Sequence, residues 1–214
     1  MSAVDTTIKN SAITTSSRPL CAVLIWLAVL GLANASLLWS GVPATALMFD
    51  ATAVASGQWW RLLTWPWVHV SGYHLLIDGL TFLFLYQGLQ AKRLTYLLWT
   101  AVGSLVVPLL VSQEIYTYGL CGLSGVAHGL MAVSCLELMQ NRDSRMVGGV
   151  CLAVLVAKTI WEVASGSVVF HGLHLGDIGH PVVMTHLGGV IGGAVAFLVL
   201  GAGRTVPDRI PSLS

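Results

Sequence analysis

Three stretches of the chain hold residues capable of proton and acyl chemistry at telling intervals. "HVSGYHLLIDGL" begins at His69 and carries His74 and Asp78, which are four apart and share one face of a helix. "GLCGLSGVAHGL" sets Ser124 among Gly122, Gly125 and Gly129, with His128 one turn further on. "PVVMTHLGGVIGGAVAF" places His186 ahead of Gly189 and Gly193, steps of three and seven that return to nearly the same side of a helix. A serine hydroxyl is a weak nucleophile until a base within hydrogen-bond reach takes its proton. A neutral imidazole does this near pH 7. At a helix N-terminus, unpaired amides and the dipole favour negative charge, so Ser124 can serve as nucleophile and also supply an oxyanion donor from its backbone N–H.

The elements that must position these groups follow from composition. The 214 residues are 56% apolar and 9% charged, with a mean hydropathy of +0.81, whereas a soluble domain carries about 25% charged residues. The chain reads as an all-α polytopic membrane protein. A span needs about 20 mostly apolar residues, and six runs qualify: 19–39, 69–88, 94–112, 123–140, 146–164 and 182–201. The resulting organisation is a cytoplasmic tail (1–18), a six-helix membrane domain (19–201) and a second cytoplasmic tail (202–214). The net charge of +1 and the lack of a basic stripe give no sign of a nucleic-acid partner; the lipid bilayer is the expected environment.

Lys and Arg collect on the cytoplasmic side. Lys9, Arg18, Lys92, Arg93, Arg142, Arg145, Arg204 and Arg209 fall inside if both termini are cytoplasmic, with Arg61 outside. A rival reading treats "CAVLIWLAVLGLANAS" as a signal-peptide core with small residues at Ala33 to Ala35, leaving five spans and the same orientation for them. Either way the second, fourth and sixth runs enter from outside, and their polar residues share one depth near the outer leaflet. Glycines at the His186 period let a neighbouring helix approach backbone to backbone, close enough for the Ser124 hydroxyl to reach the His186 imidazole.

Together, "GLSG" at 122–125, "HVSGYH...D" at 69–78 and "HLGGVIGG" from His186 resemble the rhomboid intramembrane serine proteases. "GQWWRLLTWPWVH" at 57–69 is similar to the segment leading into that family's second helix, and the resemblance runs from about 57 to 197. It implies a six-helix rhomboid-like bundle in which Ser124 is the nucleophile and His186 the general base of a dyad with no carboxylate. It places His74 in the oxyanion hole with the Ser124 backbone N–H. The family usually has Asn at the position of Asp78; an ionised Asp only accepts hydrogen bonds, so Asp78 joins the oxyanion hole only if apolar surroundings keep it protonated. His69 and His128 are read as supporting residues around the site, His128 with an alternative reading as the base itself.

"GLSGVAHGL" and "AKTIWEVASG" at 157–166 look most like the rhombosortase subgroup of bacteria. That resemblance implies substrates that are secreted proteins with a C-terminal Gly-Gly motif, an apolar transmembrane helix and a basic tail. It also implies a bacterial inner membrane with the active site on the periplasmic side.

Lys158 and Glu162 form an i, i+4 pair within the fifth run, read as mutual neutralisation or as a substrate anchor. His171, His174, Asp177 and His180 lie in a glycine-bearing outer loop, which reads as a flexible cap at least as readily as a ligand set. No metal and no cofactor are expected, and no H-E-x-x-H motif is present. Trp59, Trp60, Trp65 and Trp67 anchor the first outer segment at the membrane surface. Cys21, Cys121, Cys135 and Cys151 show no disulfide framework. A transporter reading would call for repeated halves, which the chain lacks; an inactive, client-binding relative of the rhomboids remains the other alternative.

Overall fold

The computed structural model describes residues 18–89, 93–169 and 176–201. Lys9, Lys92, His171, His174, Arg204 and Arg209, along with both expected tails apart from Arg18, lie outside them. The described residues form ten α-helices: α1 Arg18–Ala33, α2 Ala35–Ser40, α3 Ala51–Ala55, α4 Arg61–Thr64, α5 Gly72–Gly88, α6 Arg93–Val111, α7 Glu114–Tyr118, α8 Ser124–Gln140, α9 Arg145–Ser165 and α10 Met184–Gly201. Among the described residues the one extended pairing is an isolated antiparallel bridge between Phe49 and Leu120.

The long helices fall on the six apolar runs, but not all reach the length of a span. α6 and α9 are long and apolar enough to cross a membrane, and the bent pair Arg61–Trp67 with Gly72–Gly88 makes a third candidate. The bend is 93°; Pro66 and the extended Val68 precede it. Leu20–Ala33 and Met184–Leu200 are shorter apolar helices, and α8 has 17 residues, about 26 Å at 1.5 Å per residue.

The outward faces are apolar. Phe84, Leu110, Leu32 and Leu198 are exposed, a pattern that needs lipid rather than water around it. This is a membrane protein. The inner core joins Phe49, Trp65, Phe82, Leu123, Val126 and Leu130. α1 is built into it: Trp26 stacks on Trp67 at 4.9 Å, and the fully buried Asn34 donates to the Trp67 carbonyl at 2.7 Å. Asn34 also accepts from the His69 N–H at 2.9 Å, fixing the chain just before α5.

α10 is wedged between α6 and α8, and glycine makes this possible. A Cβ on Gly188 would strike the Gly103 carbonyl of α6, one on Gly189 the Gly125 carbonyl of α8, and one on Gly193 the Gly129 carbonyl. Helix backbones in such contact gain dispersion that any side chain would forfeit. Gly189→Ala is expected to destabilise the protein by about 1–3 kcal/mol, because the clash is with backbone and the helices must part. Gly149→Ala, on an open face of α9, is expected to change stability by no more than about 1 kcal/mol, in the stabilising direction. Thermal unfolding of the two variants in detergent micelles checks the contrast.

Candidate active site

The loop before α8 is held from three directions. Phe49 and Leu120 exchange backbone hydrogen bonds at 2.9 and 3.1 Å, and the Gly122 N–H donates to the Trp65 carbonyl at 3.2 Å. The Leu123 N–H donates to Asp78 Oδ2 at 2.8 Å. Gly122 has φ +93°, a conformation that L side chains rarely adopt, and a Cβ there would meet the His74 ring and Asp78 Oδ2. This turn delivers Ser124 as the first residue of α8, where backbone N–H groups have no intrahelical acceptor.

Across the α8–α10 contact, Ser124 Oγ lies 3.1 Å from His186 Nε2. The other imidazole nitrogen, His186 Nδ1, lies 2.8 Å from Glu162 Oε2 on α9. The side chain of Glu162 is fully buried. The dyad expected without a carboxylate therefore has one against it. Spacing within a single helix ties Glu162 to Lys158 and says nothing of which neighbour its second oxygen meets.

A closed ring of contacts continues from there. Lys158 Nζ donates to Glu162 Oε1 at 2.6 Å and lies 2.7 Å from His128 Nε2. His128 Nδ1 lies 2.7 Å from the Ser124 carbonyl oxygen, and the His128 and His186 rings stack at 3.9 Å with an interplanar angle of 9°. An ammonium has no acceptor, so His128 Nε2 accepts from Lys158 and its Nδ1–H donates to Ser124. Both nitrogens of His128 are thus engaged by other groups. The ligand atoms of His128, Glu162 and His186 lie within 4.8 Å of one another, a grouping able to hold a cation; the Lys158 ammonium already supplies that positive charge.

Asp78 reaches the loop ahead of Ser124. Its Oδ2 accepts the Leu123 N–H and faces His74 Nε2 at 3.1 Å and His69 Nε2 at 3.6 Å. A carboxylate surrounded by donors serves as an acceptor, so Asp78 braces the loop ahead of Ser124. His74 directs its Nε2 at Asp78, and its backbone N–H donates at 3.0 Å to Ser71 Oγ, which caps the start of α5. His69 is completely buried, and its ring packs edge-on against His74 at 5.0 Å.

A cavity of 280 Å³ opens over Ser124 and His186. Val168, Val169, Ile178 and Pro181 line it, along with His180, whose ring stacks on Tyr118. The Asp177 carbonyl accepts from Ser71 Oγ, which ties this loop to the start of α5. A second, apolar groove of 560 Å³ runs past Ser124 between α5, α8 and α9, along Ile77, Leu80, Phe84, Met131 and Leu155.

Glycine-joined helices thus bring a serine at a helix start and the imidazole facing it together beneath one cavity. The rhomboid domain model matches residues 56–203, more than half of the chain. The protein belongs to the rhomboid family, whose members are known as intramembrane serine proteases. No curated protein matches the chain.

Asp78→Asn is expected to hold the loop, because an amide oxygen still accepts from Leu123, whereas Asp78→Leu leaves that buried N–H unpaired at a cost of about 1–3 kcal/mol. Unfolding midpoints of the two variants, measured together, test the bracing role.

Proposed function

We propose that the protein is an intramembrane serine endopeptidase in which Ser124 is the nucleophile and His186 the general base. The observation that carries this reading is the 3.1 Å approach of Ser124 Oγ to His186 Nε2 beneath a cavity large enough for a peptide segment. Ser124 Oγ attacks the scissile carbonyl carbon and passes its proton to His186 Nε2. The tetrahedral oxyanion is stabilised by the Ser124 backbone N–H at the positive end of α8. His74 joins that role by turning its N–H from Asp78 to the oxyanion. Collapse of the intermediate breaks the C–N bond, and the amine leaves with the proton from His186. Water then attacks the acyl ester, gives a proton to His186, and releases the carboxylic acid as Ser124 Oγ recovers its hydrogen.

The substrate class is a membrane-anchored protein with a C-terminal transmembrane tail. The apolar groove along Phe84 and Leu155 suits an apolar helix approaching from the bilayer, and the crowded glycine-lined approach at Gly122 and Gly125 suits small residues at the cleavage point. A Gly-Gly motif would also unwind the substrate helix and free its carbonyl for attack. These features favour the rhombosortase-like reading; the six apolar runs and the distribution of Lys and Arg support six spans, cytoplasmic termini and a periplasmic-facing site in a bacterial inner membrane.

Cleavage of a tagged substrate with a Gly-Gly motif, apolar helix and basic tail, run in liposomes beside a generic rhomboid substrate, tests both levels. The wild type should release product, and Ser124→Ala and His186→Ala should each lose at least about 10⁴-fold in kcat. Preference for the generic substrate would overturn the subgroup assignment and leave the protease intact. Equal behaviour of all three proteins on both substrates would instead indicate a client-binding protein.

A further inference from the structure

The geometry points to Glu162 as a third member of the site: a positioning residue that holds His186 in the tautomer able to take the Ser124 proton, with Lys158 fixing which oxygen of Glu162 faces the imidazole. This inference rests on the Ser124–His186 reading and adds to it a carboxylate from a separate helix.

The argument comes from counting donors and acceptors. Glu162 Oε1 accepts from Lys158 Nζ at 2.6 Å and from the Val169 N–H at 3.0 Å. Oε2 is left for His186 Nδ1 at 2.8 Å. A carboxylate only accepts, so Nδ1 must carry the ring hydrogen, and Nε2 then presents its lone pair to the Ser124 hydroxyl. When His186 takes the proton, the new imidazolium finds a fixed negative charge beside it, and Glu162 keeps its own protonation state throughout. Lys158 offsets that buried negative charge between turnovers and is itself held by His128 Nε2. A carboxylate inside an apolar bundle is costly without such partners.

The ring also specifies what an isosteric amide would do. In Glu162→Gln, the two donors at Oε1 require the amide oxygen on their side, and the amide nitrogen is forced toward His186. Nδ1 must then accept, Nε2 carries the hydrogen, and the base faces Ser124 with its lone pair gone.

The test uses the full-length protein in micelles, with a fluorophosphonate that reacts at an activated serine and needs no knowledge of the substrate. Wild type should label and Ser124→Ala should not; failure of wild type to label would sink the Ser124–His186 reading itself. Given labelling, Glu162→Gln should slow it by about 100-fold or more, with the unfolding midpoint little changed. Its cleavage kcat should fall while KM holds. In ¹⁵N-histidine spectra His186 should move from the Nδ1–H form to the Nε2–H form. A paired variant, Glu162→Met with Lys158→Met, removes both charges together so that none is stranded, and should be as slow. Wild-type labelling rates in either variant, or an unchanged tautomer, would show that Glu162 only tethers α9 to its neighbours.

Discussion

Backbone-to-backbone contact between α8 and α10 is the constraint on which the site depends. Gly189 lies against the Gly125 carbonyl and Gly193 against that of Gly129, and no other residue type permits this approach. Ser124 is on one of these helices and His186 on the other. Any side chain at the contact would move them apart by more than the tolerance of a hydrogen bond. Gly188 and Gly192 repeat the device against α6, so α10 is clamped on two sides and the imidazole has little freedom to drift. A membrane supplies no hydrophobic drive between helices, which makes close packing the main source of order here.

A second tier of contacts organises the polar groups. Asp78, carried on α5, gathers the loop that leads into Ser124, while Glu162, carried on α9, faces the imidazole. The two carboxylates thus line the same cavity from different helices. Each is buried and each is surrounded by donors. The apolar surroundings strengthen such hydrogen bonds and make an unpaired group expensive, which ties loop position, histidine orientation and helix packing into one arrangement.

Much of this was legible in the sequence. The six apolar runs correspond to α1 with α2, then α5, α6, α8, α9 and α10, because hydropathy reports the need to hide backbone from lipid. Glycine spacing around His186 and Ser124 foretold which helices meet, since small residues at helical period have one common use in a membrane. Family membership was also readable, because motif order along the chain is a property of sequence. Helix continuity was less so: the first run divides into α1 and α2 at Asn34, and α5 begins only at Gly72, after the bend that follows Trp67.

The residue types, the intervals between them and the apolar runs that carry them were determined by the sequence alone, because period and hydropathy are local quantities. The partners of Glu162, Asp78 and Asn34 were decided only by the tertiary structure. Glu162 and Lys158 looked like a self-sufficient pair, yet a carboxylate has two oxygens, and the second was free to meet a histidine 24 residues away in sequence. For Asp78 the sequence offered an oxyanion role conditional on its protonation and gave no sign of the Leu123 N–H, 45 residues away, that it accepts. Asn34, in an otherwise apolar run, gave no sign that it would join the Trp67 carbonyl to the His69 amide. Hydrogen-bond partners of buried polar groups are chosen by which helices become neighbours, and that choice is a property of the packed bundle.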